Sequence, residues 1–264
     1  MRVALAGKGG AGKTTISATL ARLIARGGRP VVAIDADSNP NLSLALGVPR
    51  DQAANVSGLP SSLVSRRLGG PGLNVPVETA LERHATVAPD GVRVALMGMP
   101  AHADEGCLCS AHATVSSILD DLGRHGDTVT IVDMEASPEH LSRGTARHVD
   151  QLLLITEPYY RSLETARRLA VLAAELPIAR VALVANKIRS EGDIDAVREF
   201  CDRHGMEMAG AVPWSDAVTE ADGQGIPLID RAAGSDAVAA ISGIVGSLFD
   251  HRYERAGSTP VKSG

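Results

Sequence analysis

Residues Gly7–Thr15 read GKGGAGKTT, directly behind the short apolar run Val3–Ala6 and ahead of a helix-period segment, Thr14–Arg26. Gly7, Gly12, Lys13 and Thr14 match G-x-x-x-x-G-K-[ST], and strand before with helix after is the context that gives this pattern meaning. Glycines let backbone N–H groups turn inward around phosphate oxygens, and the helix start adds its positive dipole end. Gly9, Gly10, Ala11 and Thr15 complete the expected cradle. Lys13 is expected to reach the β- and γ-phosphates and the Thr14 hydroxyl to hold Mg²⁺, so ATP or ADP with Mg²⁺ is the expected ligand. Lys8 is surplus to this scheme.

The acidic residues sort by position. DADSNPN places Asp35 and Asp37 behind a second apolar run, and VDMEAS places Asp133 behind another. A magnesium–nucleotide site needs one carboxylate near the metal's water shell and one that orients the attacking water. Asp133 suits the first role and Asp37 the second, and Thr14, Asp37 and Asp133 together are the expected Mg²⁺ site. Either aspartate could instead cap a helix.

Composition narrows the alternatives. The net charge of −5, pI near 5.9 and 2% aromatic content give neither a basic face nor stacking platforms for nucleic acid. No signal peptide or membrane-length apolar stretch is visible, and three cysteines make no disulfide framework, so a cytoplasmic protein without membrane partners is expected. Of the 26 basic residues only Lys8, Lys13, Lys187 and Lys262 are lysine. Two of these four lie in the opening loop, where a compact point charge is wanted in place of a planar fork.

Apolar β-branched runs alternate with helix-period stretches along the chain. Strands are expected at Val3–Ala6, Val31–Ile34, Val92–Met97, Thr128–Asp133, Leu152–Thr156 and Val181–Ala185, with a weaker one at Met208–Val212. Helices are expected at Thr14–Arg26, Thr114–Leu122, Leu163–Leu176, Ile194–Arg203 and Ser235–Asp250. The runs lack in/out alternation, so both sheet faces should be covered. This predicts an α/β fold: a three-layer, doubly wound, mostly parallel sheet in one domain spanning 1–253, with 254–264 a disordered tail. Gly69–Asn74, GGPGLN, reads as a surface loop. The final helix is apolar but ends in Asp250, Arg252, Glu254 and Arg255, which suits a packed helix with a solvated end more than a membrane anchor.

KGGAGKTT resembles the deviant Walker A motif of the ATPase family that includes the MinD and ParA partitioning proteins, the nitrogenase iron protein and the arsenite-pump ATPase. In that family the lysine matching Lys8 crosses to the nucleotide of a second subunit. The resemblance therefore implies an ATP-dependent homodimer in which Lys8 acts beside Lys13 and Asp37. Asn186, Lys187 and the VPWSDAV stretch containing Pro213 match the family's adenine pocket. LMGMP, then GCLC with Cys107 and Cys109, then DMEASPEHLSRGT (Asp133–Thr145) resemble the CooC-type accessory ATPases that help mature the nickel centre of carbon monoxide dehydrogenase. That resemblance spans Arg2 to about Phe249. Ser137 stands where the pattern has glycine, and Asp37-Ser38-Asn39-Pro40 replaces a commoner D-P-N.

The cysteine pair carries its own chemistry. A disulfide between i and i+2 is strained, which favours thiols. Two thiolates underfill a tetrahedral ion, but a two-fold axis near the loop would unite two pairs into an S₄ site for Zn²⁺ or Ni²⁺. His112 or His102 could contribute instead. Cys201, beside Phe200 in an expected helix, reads as packing. The leading expectation is a slow switch ATPase that serves a client nickel metalloenzyme. The alternatives are a positioning ATPase of ParA or MinD type and an iron–sulfur cluster carrier.

Overall fold

The structure, a computed structural model, describes residues 1–67, 70–98, 109–124, 126–135 and 145–250. The strands are β1 (Arg2–Ala6), β2 (Val31–Ala36), β3 (Val64–Arg67), β4 (Gly70–Leu73), β5 (Thr86–Val87), β6 (Arg93–Leu96), β7 (Val129–Met134), β8 (Gln151–Thr156), β9 (Arg180–Ile188) and β10 (Glu207–Pro213). The helices are α1 (Lys13–Arg26), α2 (Leu42–Leu46), α3 (Arg50–Ala53), α4 (Val77–His84), α5 (Cys109–Leu122), α6 (Tyr160–Ala173), α7 (Glu191–His204), α8 (Asp216–Gln224), α9 (Leu228–Arg231) and α10 (Asp236–Asp250).

Eight strands form one sheet in the order β10-β9-β8-β1-β7-β2-β6-β5, parallel throughout except for the short edge pair β5–β6. Every residue of β2, β7 and β8 is buried, which is why these runs show no polar alternation. The period of two survives in which face each residue serves. Val3 and Leu5 of β1 join one apolar cluster with Ile16, Leu20 and Ile241, from α1 and α10; Ala4 and Ala6 join the other with Ile118, Ala166 and Val197, from α5, α6 and α7. Truncating a fully buried side chain such as Leu5 would cost about 2–5 kcal/mol. Three layers result, as expected. Ala237, Val238, Ile241, Ile244 and Leu248 of α10 are buried in the core. No helix of the described residues is long and apolar enough to cross a membrane.

One expectation is corrected. Gly70–Leu73, inside the stretch read as a loop, pairs antiparallel with Val64–Arg67 as a separate two-stranded sheet. Its Gly and Pro content reads as turn because the strands are short and stand apart from the main sheet. The expected tail beyond residue 253 lies outside the described residues.

The sheet's winding places the site. β1 lies between β7 and β8, so the chain leaves β1 toward β2 on one side and returns on the other. The C-terminal ends of β1, β7 and β8 border this switch point, where an open α/β sheet offers its crevice. α1 starts there. Its far end is fixed by the buried Arg22, whose guanidinium bonds Asp90 at 2.7 Å and pairs with Asp230. Arg26 binds the same two carboxylates at 2.9 and 3.3 Å.

Candidate nucleotide site

Residues Gly7–Gly12 run from the end of β1 into α1. At Gly7 a Cβ would lie 2.1 Å from the Ile155 carbonyl oxygen, so the loop passes against β8 only as glycine. Gly12 sits at φ +96°, and a Cβ there would meet the Asn186 amide at 2.3 Å. The loop is also held from outside. The Asn186 Nδ2 donates to the Ala11 carbonyl at 2.7 Å, and Lys187 Nζ donates to the Gly10 carbonyl at 2.7 Å. The Ala11 amide closes the loop on itself by donating to the Lys8 carbonyl at 3.1 Å. Lys187 takes a left-handed backbone, φ +61°, which is uncommon for a side-chain-bearing residue.

Helix α1 begins without a side-chain cap, and its first turn carries no acidic residue. Its free N–H groups and dipole are therefore available to an anion. Lys13 is buried at this point, with Thr14 and Thr15 beside it. Gly9 and Gly10 are exposed at the mouth, and Ala11 is buried beneath.

Asp133 closes the floor. It is 1% exposed, and among the described residues neither carboxylate oxygen has a hydrogen-bond partner of ordinary geometry. Burial pushes its carboxyl up to about 7, against the opposing pull of the nearby Thr14 hydroxyl and Lys13. Leaving such a group orphaned costs free energy, so the arrangement suits a partner that the protein does not supply. A hydroxyl, a buried carboxylate and a helix start all offer oxygen-type or anion-type chemistry suited to Mg²⁺ bound to phosphate. The residues fit that group.

Asp35 lies directly beside Asp133 in the β2–β7 register, yet its oxygens accept from the amides of Asp37 at 3.1 Å and Leu42 at 2.8 Å. Burial pushes it to about 6, with these amide bonds opposing. It shapes the loop that carries Asp37, a role that the sequence did not assign to it. Asp37 is half-buried, and its Oδ1 accepts from the Asn39 amide at 2.9 Å, which orders the turn. The Ser38 hydroxyl reaches Glu135 at 3.0 Å and so ties this loop to the end of β7.

A cavity of about 270 Å³ opens beside the phosphate loop. Gly10, Gly12, Thr15, Asn186, Lys187 and Pro213 all line it, so the residues expected for adenine share one cavity with part of the phosphate loop. Trp214, which follows Pro213, also lines it and carries the Arg189 guanidinium 3.8 Å above its ring.

Lys8, surplus to the phosphate scheme, has partners within its own chain. It is half-buried and donates to the Tyr159 hydroxyl at 3.3 Å, with its Nζ 5.0 Å from that ring's centroid. Tyr159 in turn donates to Glu157 at 2.7 Å, whose other oxygen pairs with Lys187 at 2.8 Å. Neither Glu157 nor Tyr159 was singled out in the sequence, because nothing local to them signals contact with a lysine 151 positions away.

The cysteine expectation is partly corrected. Cys109 opens α5, is exposed, and is disulfide-bonded where a thiol was expected. Cys107, His102 and Ser137 lie outside the described residues. His112 is not a loop residue: it is buried within α5, its Nδ1 3.1 Å from the Thr145 hydroxyl. Among the described residues no group of three or more His, Cys, Asp or Glu is arranged to hold a metal ion. Cys201 is free and buried against the core, as its surroundings predicted.

Known proteins bear on this geometry. Residues 3–228 match the model of the CobQ/CobB/MinD/ParA nucleotide binding domain. The carbon monoxide dehydrogenase accessory protein CooC of Rhodospirillum rubrum is 36% identical over 241 residues, covering 87% of this chain and 90% of that protein. An uncharacterized ATP-binding protein of Methanocaldococcus jannaschii is 33% identical over 236 residues, covering 86% and 91%. In fold, the MinD cell division protein of Aquifex aeolicus superposes with a TM-score of 0.71 at 22% identity, over 96% of this chain and 98% of that one. On the strength of the matched domain and the chain-long identity, this protein belongs to the CobQ/CobB/MinD/ParA family of nucleotide-binding domains and is a P-loop ATPase similar to CooC.

Proposed function

We propose that this chain is an Mg·ATP-dependent dimeric switch that binds Zn²⁺ or Ni²⁺ through Cys107 and Cys109 and assists nickel insertion into a metalloenzyme such as carbon monoxide dehydrogenase. The observation that carries the nucleotide half is the buried, unpartnered Asp133 carboxylate beside Thr14 and Lys13 at an uncapped helix start. The likeness to CooC supports the client half.

Within this reading the chain's own groups divide the work. Loop amides and the α1 start bind the phosphates, and Lys13 holds the charge that spreads over them in the transition state. Thr14 and Asp133 hold Mg²⁺, which when bound neutralises phosphate charge. Asp37, freed from its turn, orients the attacking water and accepts its proton. Asn186, Lys187 and Pro213 hold the base. Lys8 of each subunit crosses to the other's nucleotide, so ATP binding draws two copies together. Closure brings the Cys107 and Cys109 thiols of both copies near one axis, where four sulfurs complete a tetrahedral shell for the cargo ion. Cys109 must be reduced for this step.

Sedimentation of an Asp37→Ala chain with Mg·ATP tests the switch. A doubled mass that Lys8→Ala abolishes is expected; no change in mass, or dimerisation of Lys8→Ala equal to its parent, rejects it. About one Zn²⁺ or Ni²⁺ per reduced dimer is expected, and stoichiometry unchanged in Cys107→Ser rejects the metal site. A positioning ATPase is the second reading, favoured by the MinD-like fold. Co-sedimentation with liposomes or DNA would support it over the first.

A further inference from the structure

We propose that Tyr159, anchored by Glu157, is a positioning residue that holds Lys8 against its own subunit until a second copy of the chain presents its phosphates. This rests on the reading of Lys8 as the lysine that crosses between subunits.

The geometry is a relay of four side chains. Lys8 donates to the Tyr159 hydroxyl at 3.3 Å and lies 5.0 Å from the ring centroid. The same hydroxyl donates to Glu157 Oε2 at 2.7 Å. Glu157 Oε1 is taken by Lys187 at 2.8 Å, and Lys187 also holds the Gly10 carbonyl. The Tyr159 main chain is held as the N-cap residue of α6, and its amide bonds the Glu157 carbonyl at 2.8 Å. The Glu157 amide is itself fixed by the Ser162 hydroxyl at 3.0 Å. Glu157 is thus a shared anchor: it steadies the phosphate loop through Lys187 and parks Lys8 through Tyr159.

The strength of the tether suits a latch. Glu157 already has an ionic partner in Lys187, so Lys8 receives only a phenol oxygen and a ring face. A neutral acceptor holds an ammonium less strongly than a phosphate does, because the phosphate adds the Coulomb attraction of opposite charges to the hydrogen bond. A second subunit's triphosphate can therefore outcompete Tyr159. In its absence the tether keeps the Lys8 charge on its own subunit.

The test uses the full chain with AMP-PNP and Mg²⁺, read by sedimentation. Tyr159→Phe keeps the ring and removes the hydroxyl. The AMP-PNP concentration for half-maximal dimerisation is expected to fall about three- to tenfold, the worth of one net hydrogen bond. Glu157→Gln is expected to raise the ATP KM as well, through Lys187, whereas Tyr159→Phe is not. A merely structural role would move both variants together with their melting temperatures. If Lys8→Ala fails to dimerise but Tyr159→Phe behaves as the parent or needs more nucleotide, the latch is wrong and the switch stands. If Lys8→Ala dimerises like the parent, both are wrong. Should Tyr159→Phe not fold, Tyr159→Leu gives the same readout with the ring contact removed as well.

Discussion

Asp35 and Asp133 stand side by side on neighbouring parallel strands, and only Asp35 is hydrogen-bonded. Two carboxylates in one dry crevice repel, so the lower-cost solution is to stabilise one with amides and leave the other for an incoming cation. The asymmetry assigns their roles: Asp35 builds the loop that carries Asp37, and Asp133 waits for the ligand.

Asp133→Asn should therefore separate stability from activity. Burial disfavours the charged form, so the neutral amide is expected to raise the melting temperature of the nucleotide-free protein by a few degrees. Mg²⁺-dependent ATP hydrolysis should fall by roughly 10²-fold or more, the scale set by removing one group that stabilises transition-state charge. The sign with pH follows from a carboxyl raised from 3.8 to about 7. Nucleotide-free stability falls as pH rises through that window, because the unfolded chain ionises first. Melting curves of the Asn variant should lack this component.

Asn186→Ala should loosen the phosphate loop. The Ala11 carbonyl loses its 2.7 Å donor, and the change costs about 1–3 kcal/mol if the carbonyl is left unsatisfied. Calorimetry with ADP is expected to show affinity reduced about tenfold or more. An unchanged affinity would mean that the loop holds its shape without this brace.

Arg2 and Asp150 provide a pH test remote from the nucleotide. Arg2 donates to Asp150 from its amide at 2.7 Å and from its guanidinium at 2.7 and 3.4 Å. Burial alone would raise this carboxyl, but the Arg2 bonds outweigh it and hold it below its ordinary 3.8. The stability it contributes is present above 3.8 and lost as pH falls through the lower folded value. Asp150→Asn is expected to unfold about 1–3 kcal/mol more easily at neutral pH, with the gap to the parent closing in acid. Denaturant titrations at several pH values would show it.

Metal capture should depend on redox state. After treatment with a thiol reductant, Zn²⁺ is expected to bind with proton release, since thiolates are the ligands. The oxidised protein, with Cys109 in its disulfide, should bind none at this position. Equal binding in both forms would place the ion elsewhere.

The phosphate loop and the major strands were legible because their signals are local: a spaced glycine–lysine pattern and uninterrupted apolar runs. The expected Val31–Ile34, Thr128–Asp133 and Leu152–Thr156 differ from β2, β7 and β8 only at their ends. Short α2 and α3 and the polar α8 escaped notice, since five-, four- and nine-residue helices carry too few turns to show a period. Asn186, Lys187 and Pro213 were placed by resemblance, and all three line one cavity. The Lys8–Tyr159–Glu157 relay was illegible for a different reason. It joins two segments whose proximity is a consequence of β1 lying next to β8, and no residue in either segment encodes that adjacency by itself.

The bolting of α1 by Arg22 and Arg26 onto Asp90 and Asp230 has a mechanical outcome. A helix secured at its trailing end cannot retreat when triphosphate presses on its leading end.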